Sequence, residues 1–240
     1  MFKVGTEERV RAVLLDHGGT LVTDWKGNPD DIFVDILREA GIQVERSKLR
    51  GSSEYFQLYW MENFSHHPRG ERWTRKVRAE CNKAVLEHYG VSGNRDVLAR
   101  VLAEKFEWKN HQALFPDVKP TLAALKALGL TLGVVSQHLF TSEDLKEELD
   151  QRGIGEYFSL VVTSESAGVD KPDPEIYRRT AHLLGLRPEM ICHVGNSLVN
   201  DALSAQQAGL RGVLVDREGS SPTVPGLTVI HSLAELPAVL

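Results

Sequence analysis

Residues 11–21 read RAVLLDHGGTL, and this stretch decides the fold. Its first part, residues 11–16, is a short apolar run that ends in an acid, Asp16. Such a run is typical of a strand buried on both faces of a sheet. Ligands of open α/β sheets bind beyond the carboxyl ends of the strands, so Asp16 is a candidate functional residue.

Beyond Phe115, strand-like and helical segments alternate, which favours parallel strands joined by right-handed crossovers. Strands are predicted at 130–135, 159–163, 190–194, 211–215 and 227–230, and helices near 117–128, 141–152, 174–185 and 198–208. The first strand is expected to join this sheet. The sequence therefore predicts an α/β protein with a Rossmann-like parallel sheet.

A different pattern fills residues 24–115, where strand-like runs are absent. Helical patterns appear near 30–40, 46–64, 71–89 and 94–109. Gly41, Gly90 and Gly93 lie where helix ends are expected. We therefore predict a Rossmann-like core of residues 1–23 and 113–240, with an α-helical domain of residues 24–112 inserted after the first strand.

Composition and charge argue against several classes of protein. The chain has 240 residues, a net charge of -5 and no basic block, which argues against nucleic-acid binding. No apolar run approaches the ~20 residues that span a membrane, and no signal peptide is apparent. Two distant cysteines do not suggest a disulfide framework. We expect a cytoplasmic protein that acts on a small molecule as a monomer or homodimer.

Four short motifs lie at predicted strand ends or just before a helix. They are DHGGTL at 16–21, Ser136 in VVSQH, Lys171 in GVDKPDPEIY and VGNSLVND at 194–201. In order and context they resemble the four motifs of the haloacid dehalogenase superfamily. The resemblance covers nearly the whole chain, and the helical insertion corresponds to the cap of that family.

The resemblance implies roles for individual residues. Asp16 corresponds to the nucleophile, which attacks phosphorus to give an aspartyl-phosphate. Ser136 would bind a phosphoryl oxygen, and Lys171 would neutralise charge on nucleophile and substrate. The hydroxyl of Thr20 is expected to support the loop that carries the nucleophile.

The resemblance also implies a Mg²⁺ cofactor. Its ligands would be Asp16, the backbone carbonyl of Gly18, Asn196 and Asp201. Magnesium prefers oxygen ligands and often takes only one or two carboxylates together with substrate phosphate.

Two positions depart from the pattern of the family's phosphatases. Gly18 stands where they carry a second aspartate that protonates the leaving group and then activates water. Loss of such an acid typically costs about 10²–10⁴-fold in rate. Asn196 replaces a metal-binding aspartate and removes one negative charge. The expected enzyme is thus an atypical phosphatase of a small phosphorylated metabolite.

These departures keep other functions open. The chain is alternatively a catalytically impaired or non-catalytic binding protein. A further alternative is a dehalogenase-type or phosphonatase-type hydrolase, which needs no second acid. Candidate substrate contacts are His17, which adjoins the nucleophile, Trp25 in the first connection to the helical domain, and Gln137 beside Ser136.

Overall fold

The computed structural model describes residues 9–23, 28–105 and 112–240. The chain forms two compact units, Met1–Asp24 with Ala113–Leu240 and Trp25–Gln112. We call them the core unit and the helical unit. Within the described ranges, no helix has the length and apolar character needed to cross a bilayer.

The core unit is built on one sheet of six parallel strands. They are β1 (Ala12–Leu15), β2 (Thr131–Ser136), β3 (Leu160–Thr163), β4 (Ile191–Gly195), β5 (Arg211–Val215) and β6 (Thr228–Ile230). Their order across the sheet is β3-β2-β1-β4-β5-β6. The predicted α/β fold with a Rossmann-like parallel sheet is therefore confirmed.

Strand register brings the predicted motifs to one edge of the sheet. Leu15 at the end of β1 is paired with Val134 of β2 and Val194 of β4. Because the three strands are parallel, the segments that follow them leave the sheet on the same side. This arrangement draws Asp16, Ser136 and Asn196 toward one site.

The described residues of the helical unit form four helices. They are α1 (Pro29–Glu39), α2 (Ser52–Asn63), α3 (Arg75–His88) and α4 (Arg95–Lys105), with a 3₁₀ turn at Arg46–Leu49. Its buried apolar side chains, such as Phe33, Leu37, Leu86 and Leu102, form a separate core. Apolar residues three and four apart on α1 and α4, such as Phe33 with Leu37 and Leu98 with Leu102, supply much of this core, as amphipathic helices do.

Within the described residues, the core unit forms six further helices. They are α5 (Val118–Ala127), α6 (Ser142–Gln151), α7 (Ser164–Ala167), α8 (Glu175–Leu184), α9 (Ser204–Gln207) and α10 (Leu236–Val239). Short 3₁₀ turns occur at Gly155–Tyr157, Pro188–Met190 and Leu233–Glu235. Alternate residues of β1 enter opposite cores, Val13 and Leu15 on one face and Ala12 and Leu14 on the other.

Two predicted helices differ from those observed. The pattern at 46–64 suggests one continuous helix, but the chain breaks at Gly51, whose φ of 83° is left-handed, and α2 begins at Ser52. The second difference lies at 198–208, where the helix opens as a π-helical turn, Leu198–Leu203, before α9. Apolar spacing predicts a helix, but it does not distinguish an α-helical turn from a π-helical turn, whose hydrogen bonds span one more residue.

A buried carboxylate accepts hydrogen bonds from the residues at the break near Gly51. Asp30 of α1 accepts hydrogen bonds from Gly51 N at 2.7 Å, Ser53 N at 2.9 Å and the Ser52 hydroxyl at 2.9 Å. These backbone donors belong to the start of α2 and have no partner within their own helix. Burial raises the pKa of Asp30, but the hydrogen bonds outweigh it and the pKa lies below its ordinary value.

Replacing this carboxylate should destabilise the protein. We expect Asp30→Ala to lower the free energy of unfolding by about 3 kcal/mol, because three donors lose a charged acceptor. Since the folded pKa is depressed, the contribution is complete well above the unfolded pKa of about 3.9 and disappears as the pH falls below it. Urea unfolding at several pH values measures both effects.

The matched control is Asp35→Ala on the same helix. Asp35 is 52% exposed and pairs with Arg38 at the surface, so its removal should cost less than about 0.5 kcal/mol. Equal losses in the two variants would contradict the assigned role of Asp30.

Candidate active site

The site centres on the ammonium group of Lys171, which lies between two carboxylates. Its Nζ donates to Asp16 Oδ1 at 2.7 Å and to Asp201 Oδ1 at 2.6 Å. The side chain of Lys171 is 1% exposed, that of Asp201 2% and that of Asp16 12%. Three residues that the sequence separates widely thus form one buried ion-pair network.

Opposing effects set the pKa values of this network. Burial lowers the pKa of Lys171, but the two carboxylates outweigh it and hold the pKa above its ordinary value. Burial raises the pKa of Asp16, and the attraction of Lys171 opposes that rise. For Asp201, burial is outweighed by His193 and Lys171, which hold its pKa well below the ordinary value. With both carboxylates ionised, the three side chains carry one net negative charge.

Asp201 is fixed from several directions. Ser197 N donates to its Oδ2 at 2.9 Å, and His193 Nε2 lies 3.1 Å from its Oδ1. The carboxylate also packs against Gly195, where an added Cβ would lie 2.3 Å from Asp201 Cγ. The absence of a side chain at Gly195 therefore allows Asp201 to reach Lys171.

His193 is a site residue that sequence reasoning missed. It is fully buried in β4, and its ring lies 4.7 Å from the ring of Tyr177. Burial is the main cause that lowers the pKa of His193, so neutral imidazole is favoured. The sequence does contain a signal for His193, namely a histidine within an apolar run that predicts a buried strand. A buried polar side chain needs a polar partner, so such a histidine indicates another polar group nearby.

The loop after Asp16 contains two glycines with different surroundings. At Gly19, whose φ is 70°, a Cβ would lie 2.2 Å from Asn196 Nδ2, so the exposed Asn196 side chain lies against this backbone. At Gly18 a Cβ would meet no atom of the described residues within 4 Å. A Cβ therefore has room at Gly18, the position where the resemblance implies a second acid in the phosphatases.

Arg217 supports the same loop from the distant C-terminal part of the core unit. Its Nη2 donates to the backbone oxygen of Thr20 at 2.9 Å, and its guanidinium pairs with Asp117 at 2.8 Å. The guanidinium also lies 3.7 Å from the centre of the Phe115 ring. The predicted role of the Thr20 hydroxyl is wrong, since it has no hydrogen-bond partner within the described residues. The backbone carbonyl of Thr20, and not its hydroxyl, accepts the hydrogen bond from Arg217 that supports the loop.

His17 is directed toward α6. It is 3% exposed, and its Nε2 lies 3.4 Å from Glu148 Oε1. Burial raises the pKa of Glu148, but His17 and Arg152 outweigh it and hold the pKa at about 2. Burial, assisted by His17, lowers the pKa of His138 to about 4, and the two imidazole rings meet edge-on at 6.1 Å. His17 therefore belongs to a buried cluster beside Asp16.

Three further residues were predicted to contribute to the site, namely Ser136, Gln137 and Trp25. Ser136 ends β2, next to β1, and is 3% exposed. Gln137 follows it and is exposed. Trp25 lies outside the described residues. The structure thus brings Asp16, Lys171 and Asp201 into direct contact, with Asn196 against the Asp16 loop.

Whether a metal ion suits this site depends on the donor atoms that its residues offer. The described part of the chain contains no group of three or more His, Cys, Asp and Glu side chains arranged to hold one. Two carboxylates, the Asn196 amide and the Gly18 carbonyl are nevertheless oxygen donors of the kind that Mg²⁺ accepts. Oδ2 of Asp16 has no hydrogen-bond partner within the described ranges. The donor chemistry fits a magnesium ion that takes few ligands from the protein.

Comparisons with known proteins identify a family and several relatives. Residues 10–209 match the family model of the haloacid dehalogenase-like hydrolases. The chain is 40% identical to a glyceraldehyde 3-phosphate phosphatase of Methanopyrus kandleri, over 87% of this chain and 84% of that protein. It is 30% identical to a phosphoserine phosphatase of Thermus thermophilus, over 90% and 92% of the two chains.

A solved structure shares the fold. The 2-haloacid dehalogenase of Pseudomonas syringae superposes with a TM-score of 0.68 at 25% identity, and the match covers 96% of this chain and 97% of the other.

The close approach at Gly195 yields a prediction. We expect Gly195→Ala to lower the free energy of unfolding by about 3 kcal/mol, because the new methyl group displaces Asp201 from a buried charged partner. Gly18→Ala is the control, since its methyl group meets open space, and it should change stability by less than about 1 kcal/mol. Urea unfolding measures both values. Similar losses in the two variants would contradict the contact between Gly195 and Asp201.

Proposed function

The chain belongs to the haloacid dehalogenase-like hydrolases, and we propose that it is a Mg²⁺-dependent phosphatase of small phosphorylated molecules, with Asp16 as nucleophile. The observation that carries this proposal is the Lys171 ammonium between Asp16 and Asp201, at 2.7 and 2.6 Å. Two relatives named as phosphatases support the reaction class. Their different substrates give no single substrate for this chain.

The proposed reaction has two steps. A carboxylate oxygen of Asp16 attacks phosphorus, the bond between phosphorus and the leaving oxygen breaks, and an aspartyl-phosphate forms. Water then attacks the phosphorus of this intermediate, releasing phosphate and restoring the carboxylate. The Lys171 ammonium stabilises negative charge on the phosphoryl oxygens, and the Ser136 hydroxyl donates to one of them.

We assign magnesium to Asp16, Asp201, Asn196 and the Gly18 carbonyl. A bound Mg²⁺ supplies Lewis-acid stabilisation of the phosphoryl oxygens. The net charge of Asp16, Lys171 and Asp201 supports this assignment, because a divalent cation would change it from -1 to +1. A positive site attracts a phosphate ester. Asn196 contributes no charge, so we expect weaker magnesium binding than an aspartate would give.

The absence of an acid at Gly18 sets the expected substrate preference. No group at this position protonates the departing oxygen, so a leaving group of low pKa is favoured. Acyl and aryl phosphates should react faster than alkyl phosphates. We assign no proton transfer to His17, because its Nε2 faces Glu148. We also infer from the family resemblance that the helical unit is a cap that selects substrate.

The first test is covalent trapping. With Mg²⁺ and acetyl phosphate, the protein should release phosphate and gain the mass of one phosphoryl group, because hydrolysis of the intermediate is slow. Asp16→Asn should lose more than about 10³-fold in turnover and gain no mass. Chelation of the metal should abolish turnover, and added Mg²⁺ should restore it. Mass spectrometry and phosphate release are the measurements.

The control is Asp35→Asn, an exposed acid of the helical unit, which should retain full turnover. If neither phosphate release nor a mass gain occurs with acyl, aryl and alkyl phosphates, the phosphatase proposal fails.

The second test restores the missing acid. Gly18→Asp should accelerate alkyl phosphate hydrolysis by about 10²–10⁴-fold, because it supplies the missing acid at a position where a Cβ meets no described atom within 4 Å. Gly18→Asn has the same size without an acidic proton and should give no such gain. Steady-state kinetics with alkyl and acyl phosphates measure the effect. An equal change in the Asp and Asn variants would argue against the role assigned to Gly18.

Dehalogenation is a second candidate function. It is favoured by Gly18, since attack on carbon needs no second acid, and by the likeness to a 2-haloacid dehalogenase. In that reaction Asp16 would displace halide to form an ester that water then hydrolyses. Halide release from 2-chloropropionate without Mg²⁺ would favour this candidate over the phosphatase.

A further inference from the structure

His193 has no role in the reaction proposed above, although it contacts a residue of the site. Its side chain is fully buried, and its Nε2 lies 3.1 Å from Asp201 Oδ1. An ionised carboxylate accepts hydrogen bonds but donates none, so we assign the imidazole proton to Nε2. His193 is therefore a hydrogen-bond donor to Asp201.

Three donors occupy most of the Asp201 carboxylate. Lys171 and His193 both donate to Oδ1, and the backbone N–H of Ser197 donates to Oδ2. An ionised carboxylate accepts at about four positions in all. One position, on Oδ2, is thus left for a metal ion or for a water molecule bound to it.

Of the three donors, His193 joins Asp201 to the interior of the sheet. It lies in β4, where it is paired with Leu14 of β1 and with Gly212 of β5. Ser197 lies only four residues before Asp201 in the chain, and the ammonium donor is shared with a second carboxylate. His193 is therefore the donor that fixes this carboxylate relative to the strands.

The orientation of the His193 ring is fixed as well. The Tyr177 ring packs against it with centroids 4.7 Å apart, and the Tyr177 hydroxyl donates to the Asn200 oxygen at 2.8 Å. Nδ1 of His193 has no hydrogen-bond partner within the described residues. An unpaired buried nitrogen costs stability that an apolar side chain would avoid. The contact with Asp201, and not packing alone, therefore explains a histidine at this place.

We propose that His193 is a positioning residue of the magnesium site, which fixes Asp201 from the sheet and so sets the affinity for Mg²⁺. This inference rests on the magnesium assignment in the proposed function. Hydrogen-bond partners of metal ligands orient those ligands, and their loss typically lowers metal affinity about 10–100-fold. Without the His193 donor, part of the free energy of metal binding would be needed to orient the carboxylate.

Two substitutions separate positioning from packing. His193→Phe keeps a ring against Tyr177 but removes the donor. The Kd of the full chain for Mg²⁺, measured by isothermal titration calorimetry without substrate, should rise about 10–100-fold in this variant. His193→Gln keeps a side-chain N–H donor, so its Kd should stay close to that of the wild-type protein.

The matched control is His182→Phe, which changes an exposed histidine of the same unit and should leave the Kd for Mg²⁺ unchanged. Urea unfolding without metal gives the stability that each variant loses. A purely structural role predicts no rescue by Gln, because Gln lacks the ring that packs against Tyr177. Equal Kd values for His193→Phe and His193→Gln would therefore overturn the proposal.

If His193→Phe does not fold, the wild-type protein decides. The ¹⁵N NMR signals of the His193 ring are assigned through their contacts with Tyr177. They should show the proton on Nε2, and the Nε2 signal should shift when Mg²⁺ is added. A proton on Nδ1, or an Nε2 signal that saturating Mg²⁺ leaves unchanged, would overturn the proposal.

Failure of this inference is distinguishable from failure of the proposed function. If the wild-type protein binds no Mg²⁺, the magnesium assignment fails and the role of His193 fails with it. If Mg²⁺ binds and the loss of the His193 donor leaves the Kd unchanged, the positioning role alone is wrong. Neither measurement requires turnover of a substrate.

Discussion

The site depends on one buried ammonium group. Two carboxylates within a largely water-free site repel each other, and desolvation penalises every charge placed there. Lys171 offsets both effects by lying within hydrogen-bond distance of Asp16 and Asp201. In the proposed reaction, the same charge would stabilise the phosphoryl group of the substrate. Stability and the proposed chemistry therefore rest on one interaction, and neither carboxylate can be moved without disturbing the other.

Residues remote in sequence hold this network in place. His193 and Ser197 fix Asp201, Gly195 provides the space that it occupies, and Arg217 fixes the loop after Asp16. Ser197 contributes a backbone N–H, Arg217 binds a backbone oxygen, and Gly195 leaves space because it has no side chain. None of these three contacts places another carboxylate beside Asp16 and Asp201. A third carboxylate there would increase the electrostatic repulsion within the site.

The sequence was sufficient for the sheet, because buried parallel strands are short apolar runs and the motifs follow them directly. It also identified Asp16, Lys171 and Asp201 as candidates. It could not show the break at Gly51 or the π-helical turn at Leu198–Leu203, because both depend on hydrogen bonds rather than on apolar spacing. Nor could it show Arg217, whose contact with Thr20 joins residues 197 positions apart. Such contacts have no local signature in a single chain.

The position of β1 in the sheet has a consequence for synthesis of the protein. Ala12 pairs with Thr131 on one side and with Ile191 on the other, so this central strand leaves the ribosome long before either partner. The helical unit, whose core residues lie within Ile32–Leu102, can complete its own contacts during that interval. Non-local strand pairing is slow, and unpaired apolar strands are prone to aggregation. The nascent chain therefore carries β1 as an unpaired apolar strand until β2 and β4 have been synthesised, and the edge of the sheet next to Asp16 forms only then.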